Sequence, residues 1–159
     1  MKIKLVSVGK IRESYIIAGI QEYTKRLQAY TKLELIRVAD ERIPDVCSFA
    51  LQEQIKQKES QRVIDKIKKD EFVIVLDVQG EMLDSIELSQ KMEQCMIQGK
   101  STITFVIGGS LGHGSNLLER ADFRLSFSKM TFPHPLMQLI SLEQIYRSFK
   151  IMHQETYHK

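Results

Sequence analysis

The sequence has little of what staples a small chain together. It holds two cysteines in 159 residues, Cys47 and Cys95, with 47 residues between them and no Cys-x-x-Cys. That spacing excludes a disulfide framework and a cysteine-held zinc site, and it fits the reducing cytoplasm. The four histidines, His113, His134, His153 and His158, show neither His-Glu-x-x-His nor a paired spacing, so no metal is expected. Long apolar runs are missing too. The longest in the middle of the chain is Phe72–Leu76, far short of the roughly 20 residues that cross a bilayer. The stretch Met1–Val8 is too short in apolar residues for a signal peptide. No repeat, low-complexity segment or linker divides the chain, which reads as one domain over 1–159.

What is present is ordinary globular composition, 43% hydrophobic and 27% charged, which argues against disorder. A chain this long buries roughly 70% of its unfolded surface and needs no covalent staple. The net charge of +3 neither demands nor excludes nucleic acid, but it is unevenly spread. Residues 1–32 hold seven Lys or Arg against two Glu, leaving −2 for the rest. Such asymmetry suits an anionic partner on one face, or solvated positions flanking a buried strand and helix.

Strand and helix patterns alternate along the whole chain. Lys2–Val8 alternates polar and apolar residues and stops at Gly9, which predicts a strand and a turn. Ile16, Ile20, Tyr23, Leu27 and Tyr30 mark one face of a helix. Lys32–Ala39 reads as a second strand, and Asp40–Val46, with Pro44 and four charges, as a loop. Ser48 is placed to cap a helix running to about Lys68, whose sparse apolar positions predict a largely exposed element. Phe72–Leu76 and Thr102–Ile107 are continuous enough for strands buried on both faces. Between them a helix capped by Asp84 or Ser85 is stopped by Gly99. A short helix around Leu117–Arg120, a strand at Phe123–Phe127 and an apolar-rich helix from about Leu136 to Met152 complete the chain. The class is α/β, a mostly parallel sheet flanked by helices.

Half of the eight glycines fall within residues 108–114, at the carboxyl end of a buried strand. Ligands of open α/β sheets bind at that end, where glycine lets them approach the backbone. The competing explanation is a tight turn. Neither Gly-x-Gly-x-x-G nor the P-loop pattern fits, which disfavours the common nucleotide-phosphate sites and leaves room for an adenosyl ligand without phosphates. Leu76–Gly80 and Phe127–His134 end two other strands and are expected to share the crevice. Tyr157-His158-Lys159 joins an aromatic ring, a titratable group and a cation, which suits stacking on a base and contacting phosphate, or else marks a frayed terminus.

Several of these segments agree in order and spacing with one known family. Phe105–Ser110, Leu125–His134, Glu143–Arg147 and Tyr157–Lys159 resemble the RlmH-type pseudouridine methyltransferases of bacterial large-subunit rRNA, part of the SPOUT superfamily of α/β-knot enzymes. The resemblance spans essentially the whole chain. It implies a C-terminal trefoil knot, a homodimer, and methyl transfer from S-adenosylmethionine to N3 of a pseudouridine in 23S rRNA on assembled ribosomes. Matching positions place the cofactor against Leu76, Gly108, Phe127, Ser128, Lys129, Met130, Thr131 and Phe132. The N3 imide must lose its proton, and His158 or Tyr157, with His134 as a weaker candidate, is expected to contact the base. Arg147, Lys10, Arg12 and Lys159 are the expected RNA contacts, with Lys129 and the other N-terminal lysines as further phosphate partners. Two positions depart from the family: Gln138 stands where relatives usually carry arginine, and His113 follows Gly112 where leucine is common. Two rival readings are a non-enzymatic ribosome- or RNA-binding protein with a structural glycine loop, and a nucleotide-binding α/β enzyme with an unfamiliar one.

Overall fold

Five strands and five helices alternate strictly in the computed structural model, which describes residues 1–159. They are β1 (Lys2–Val8), α1 (Ser14–Leu27), β2 (Lys32–Val38), α2 (Phe49–Ile64) and β3 (Phe72–Met82), then α3 (Ser85–Ile97), β4 (Thr102–Ile107), α4 (Ser115–Arg120), β5 (Phe123–Ser126) and α5 (His134–Met152). The strands form one sheet in the order β2-β1-β4-β3-β5, and every pairing is parallel. All five carboxyl ends therefore face the same edge.

The two-residue period of the strands sorts their side chains into two cores. Ile3 and Leu5 of β1, Ile74 of β3 and Ile103, Phe105 and Ile107 of β4 face one way, against α1, α3 and α5. Val6, Val8, Val73, Val75 and Val106 face the other way, against Val63 of α2 and Leu117 of α4. The result is three layers with the sheet in the middle. Helix boundaries follow their capping chemistry. Ser48 Oγ accepts the Leu51 N–H at 3.2 Å. Asp84 and Glu87 cap each other's backbone N–H at 2.8 and 2.7 Å. Gly99, at φ +79°, closes α3.

Four features differ from the sequence expectation. Strand β3 does not end at Leu76 but runs to Met82, with a bulge that lets both Leu76 and Glu81 pair with Leu125. Gly80 marks a close approach of backbones there rather than a turn, since a Cβ on it would lie 2.6 Å from the Arg124 carbonyl oxygen. Helix α2 stops at Ile64 and is less exposed than its sparse apolar pattern suggests, because Glu59 and Ser60 are buried with Ile55 and Val63. Helix α5 starts at His134, two residues early. The basic N-terminal fifth is also partly neutralised: Lys2 pairs with Glu34, Arg26 with Glu22, and Lys4 with Glu71 inside the protein. Lys4 is thus no phosphate contact.

Candidate active site

The loops that leave the carboxyl edge after β3, β4 and β5 enclose a cleft of about 420 Å³, well within the range of small-molecule sites. Leu76 lines it from β3, Gly108 and Gly109 from the end of β4, and Phe127 and Phe132 from the segment after β5. Ser128, Met130, Thr131 and His134 complete that last wall. Of the eight residues expected around a cofactor, only Lys129 lies outside the wall, as an exposed side chain. The turn carrying them is held from within: Ser126 Oγ donates to the Ser128 carbonyl at 3.0 Å, and Ser128 Oγ accepts the Met130 N–H at 3.0 Å.

The glycine loop serves both as a cleft wall and as a tight turn. Gly112 has φ +95° and donates its N–H to the Gly109 carbonyl at 3.1 Å. A Cβ on Gly108 would meet the His113 ring at 2.8 Å, and one on Gly109 would meet Glu59 Oε1 at the same distance. His113 lies in the cleft wall with Nε2 2.6 Å from the Leu76 carbonyl oxygen. Because a carbonyl only accepts, Nε2 carries the hydrogen and Nδ1 is left as a bare acceptor, buried and without a partner. Burial holds the His113 imidazole neutral, below its ordinary titration range, against the opposing pull of the Leu76 carbonyl and Asp77.

Three charged groups at or beside the cleft were not singled out by sequence reasoning, although Asp77 lies in the segment expected there. Arg124 Nε donates to Asp77 Oδ2 at 2.9 Å, tying β5 to the β3 bulge. Burial alone would raise the Asp77 carboxyl. The Gln79 N–H and the Arg124 guanidinium outweigh it and hold the group below the usual carboxylate range. Arg124 was readable as the one charged residue of the strand Phe123–Ser126. The third group, Glu59, is only 4% exposed and accepts the Glu41 N–H at 2.9 Å. With Asp40, Ser110 and His134 it lines a smaller pocket of about 230 Å³ that shares Gly109, Ser110 and His134 with the main cleft. Nothing in the spacing of α2 announces a buried carboxylate.

The C-terminal residues form a separate cluster. Tyr157 Oη donates to Glu143 Oε1 at 3.0 Å and lies 3.4 Å from Tyr23 Oη. Arg147 stacks over the Tyr157 ring at 4.7 Å and sits 3.2 Å from His158 Nδ1. Burial and these two hydrogen bonds push the Tyr157 phenol up, so it stays protonated. The Glu143 carboxylate keeps Arg147 charged. The tail is therefore docked rather than frayed, but it is docked away from the cleft. Arg147 is ten residues beyond Met137, the last cleft residue of α5, which at 1.5 Å per residue is about 15 Å along the helix. Within one chain the structure unites His134 with the cleft and does not bring Tyr157, His158, Arg147 or Lys159 to it. Lys10 and Arg12 are exposed on the loop after β1, at the cleft's edge of the sheet. Gln138 is 3% exposed, with its Nε2 buried and unpartnered, so it faces the interior and not an RNA.

The family described as "Predicted SPOUT methyltransferase" matches residues 1–158. The chain belongs to the SPOUT methyltransferases. Among similar proteins, the ribosomal RNA large subunit methyltransferase H of Enterococcus faecalis is 52% identical over 159 residues, covering all of both chains. The protein of the same name from Acetivibrio thermocellus is also 52% identical over the full length of both. The SPOUT assignment gives the glycine-walled cleft a chemical meaning that its spacing alone did not carry.

Proposed function

We propose that this SPOUT methyltransferase methylates N3 of a pseudouridine in 23S rRNA with S-adenosylmethionine, acting as a homodimer on assembled ribosomes in the cytoplasm. The observation that carries the reading is the cleft, whose walls are built from the positions the family resemblance assigns to the cofactor. Full-length identity to relatives named for large-subunit rRNA methylation supports the substrate class. The residues present fit an adenosyl group: side-chain-free backbone at Gly108 and Gly109, apolar walls at Leu76, Phe127 and Phe132, and no lysine following the glycines as in a P-loop. The C-terminal knot implied by the resemblance belongs to the same proposal, in which the segments around 76–80, 108–114 and 127–134 are its loops.

When bound, the cofactor supplies a methyl carbon activated by a positively charged sulfur. The chain's part is to hold the uracil ring in line and to take its N3 proton as the new N–C bond forms. A protonated Tyr157 cannot be the base, which leaves it a positioning and stacking role. His158 and His134 are the remaining proton acceptors, and Arg147 is the cation that stabilises the developing imide anion.

One chain holds Arg147, with Tyr157 and His158 packed on it, about 15 Å along α5 from the cleft, which is the physical argument for the dimer. Two α5 helices packed antiparallel would set the Arg147–His158 end of one beside the Met137 end of the other. A mostly apolar groove between α3 and α5, lined by Leu88, Phe132, Met137 and Ile140, offers the surface. Mass spectrometry of 23S rRNA from cells with and without the protein tests the reaction. Loss of a methylated pseudouridine without the protein is expected, and an unchanged modification pattern refutes it. Mixing Gly108→Arg with His158→Ala chains tests the dimer. Activity regained on mixing is expected, whereas two inactive proteins that stay inactive rule out a shared site.

A further inference from the structure

Glu59 is a buried carboxylate beside the cleft with one oxygen to spare. Its side chain is 4% exposed, and Oε2 accepts the Glu41 N–H at 2.9 Å. Oε1 has no donor from the protein and lies against Gly109, where a Cβ would come within 2.8 Å of it. Arg62, the cation that acts on this carboxylate, is engaged elsewhere: it donates to the Ala39 carbonyl and pairs with Glu41. Burial, with help from Asp40 and Glu41, raises the Glu59 carboxyl above its ordinary range against the pull of the Glu41 N–H and Arg62. A carboxylate so poorly solvated gains from an N–H donor that reaches Oε1.

The pocket that Glu59 lines meets the main cleft along Gly109, Ser110 and His134. Two of its walls come from opposite faces of the sheet. Glu59 belongs to α2, which packs on the valine face, and His134 opens α5, which packs on the isoleucine face. The His134 ring reaches the end of β1, with Nε2 3.5 Å from where a Cβ on Gly9 would stand, while Glu59 reaches the end of the neighbouring β4 at Gly109. A ring held at this rim is met by acceptors from two directions. Pseudouridine offers two ring N–H groups where uridine offers one. Its N1–H and N3–H flank one carbonyl and point away from each other. With N3–H turned to one wall, N1–H faces the other, and uridine would present a C–H in that place.

We propose that Glu59 is the residue that selects pseudouridine over uridine, its Oε1 accepting the N1–H of the target base while N3 faces His134 and the methyl donor. The proposal rests on the reaction proposed above and names the group that chooses its substrate. A site built to hydrogen-bond an N–H rejects the analogue that lacks it, because the buried acceptor is then left unpaired. Asp40 and Arg42 line the same pocket but are exposed, so water satisfies them whichever base is present. The α-ammonium of the cofactor is the other N–H donor such a pocket could take, and the test separates the two.

The test measures kcat/KM for methyl transfer to ribosomes carrying either pseudouridine or uridine at the target, the latter from cells lacking the pseudouridine synthase. Wild type is expected to favour pseudouridine by at least about a hundredfold. In Glu59→Gln the amide oxygen must take the Glu41 N–H, which puts the NH2 group where Oε1 stood and sets donor against donor. That variant is expected to narrow the ratio by about tenfold or more through lost rate on pseudouridine. Its fold is checked by circular dichroism, and its calorimetric affinity for S-adenosylhomocysteine is expected to match wild type. An unchanged ratio in the variant, or a wild type that accepts both bases equally, overturns the proposal and leaves the reaction in place. A variant that loses S-adenosylhomocysteine affinity instead assigns Oε1 to the cofactor's ammonium and overturns it too. Failure of wild type to methylate either ribosome overturns the reaction itself.

Discussion

Replacing Lys4 by methionine isolates a deeply buried charge. Lys4 Nζ lies 2.9 and 3.0 Å from the two Glu71 carboxylate oxygens and also reaches the Lys66 carbonyl. The side chains of the pair are each 4% exposed. Thr104, the register partner of Lys4 on β4, donates to Glu71 at 2.7 Å. Without Lys4, Glu71 keeps a single neutral donor, and an uncompensated buried charge of this kind costs about 3–5 kcal/mol. For a chain this size that lowers Tm by on the order of 10 °C. The double variant Lys4→Met with Glu71→Leu removes both charges and fills the same volume, so it is expected to recover most of the loss. Urea unfolding followed by circular dichroism gives the three free energies. The cluster sits away from the carboxyl edge, so S-adenosylhomocysteine affinity should match wild type in both variants. A single variant within 1 kcal/mol of wild type, or a double variant as unstable as the single, refutes the argument.

Three further outcomes follow from other parts of the structure. Deleting residues 157–159 should reduce methylation at least a hundredfold while leaving calorimetric affinity for S-adenosylhomocysteine within about threefold, because the tail contacts α1 and α5 and not the cleft; equal turnover by the truncated protein would contradict its role. Gln138→Leu removes an unpartnered buried amide at nearly constant volume and should stabilise by about 1 kcal/mol in urea unfolding, whereas a loss of stability would mean the amide is satisfied. Burial raises the Glu59 carboxyl above its unfolded value. Its contribution is therefore full at low pH and fades as pH rises through the folded titration point. Glu59→Gln should then be more stable than wild type at pH 7 and equal to it near pH 4, and a gap that does not change with pH would refute this.

How much of this was readable from the residues differs by element. The strands at Lys2–Val8 and Thr102–Ile107 and the caps at Ser48 and Asp84 follow from local patterns whose causes are local, and the structure keeps them. The β3 bulge does not, because its cause is the approach of β5 to Gly80, forty-odd positions away in sequence. The buried carboxylates are equally invisible. Glu59 and Glu71 are interior only because Gly109 and Lys4 come to them from other elements. The cleft was legible as three strand ends with a glycine loop, since parallel strands must put those ends together. The remoteness of the tail was not, because it depends on which half of α5 Tyr157 packs against. Charge asymmetry, read as a surface property, was partly misplaced. Lys4 is inside, and Lys2 and Arg26 are already paired.

The sheet order also sets a schedule for synthesis. Strand β1 lies inside the sheet, bonded to β2 on one side and to β4 on the other. Its second edge stays open until the 69 residues from Ala39 to Ile107 have been added, roughly 3–14 s at about 5–20 residues per second. During that interval a two-stranded ribbon of Ile, Leu and Val, one of its edges unpaired, hangs from the ribosome with Lys4 still waiting for its acid 67 residues downstream. Such an edge is a template for wrong pairings, and the non-local contacts that close it are the slow kind. Substitutions that make β1 more apolar should therefore lower soluble yield before they alter the folded protein.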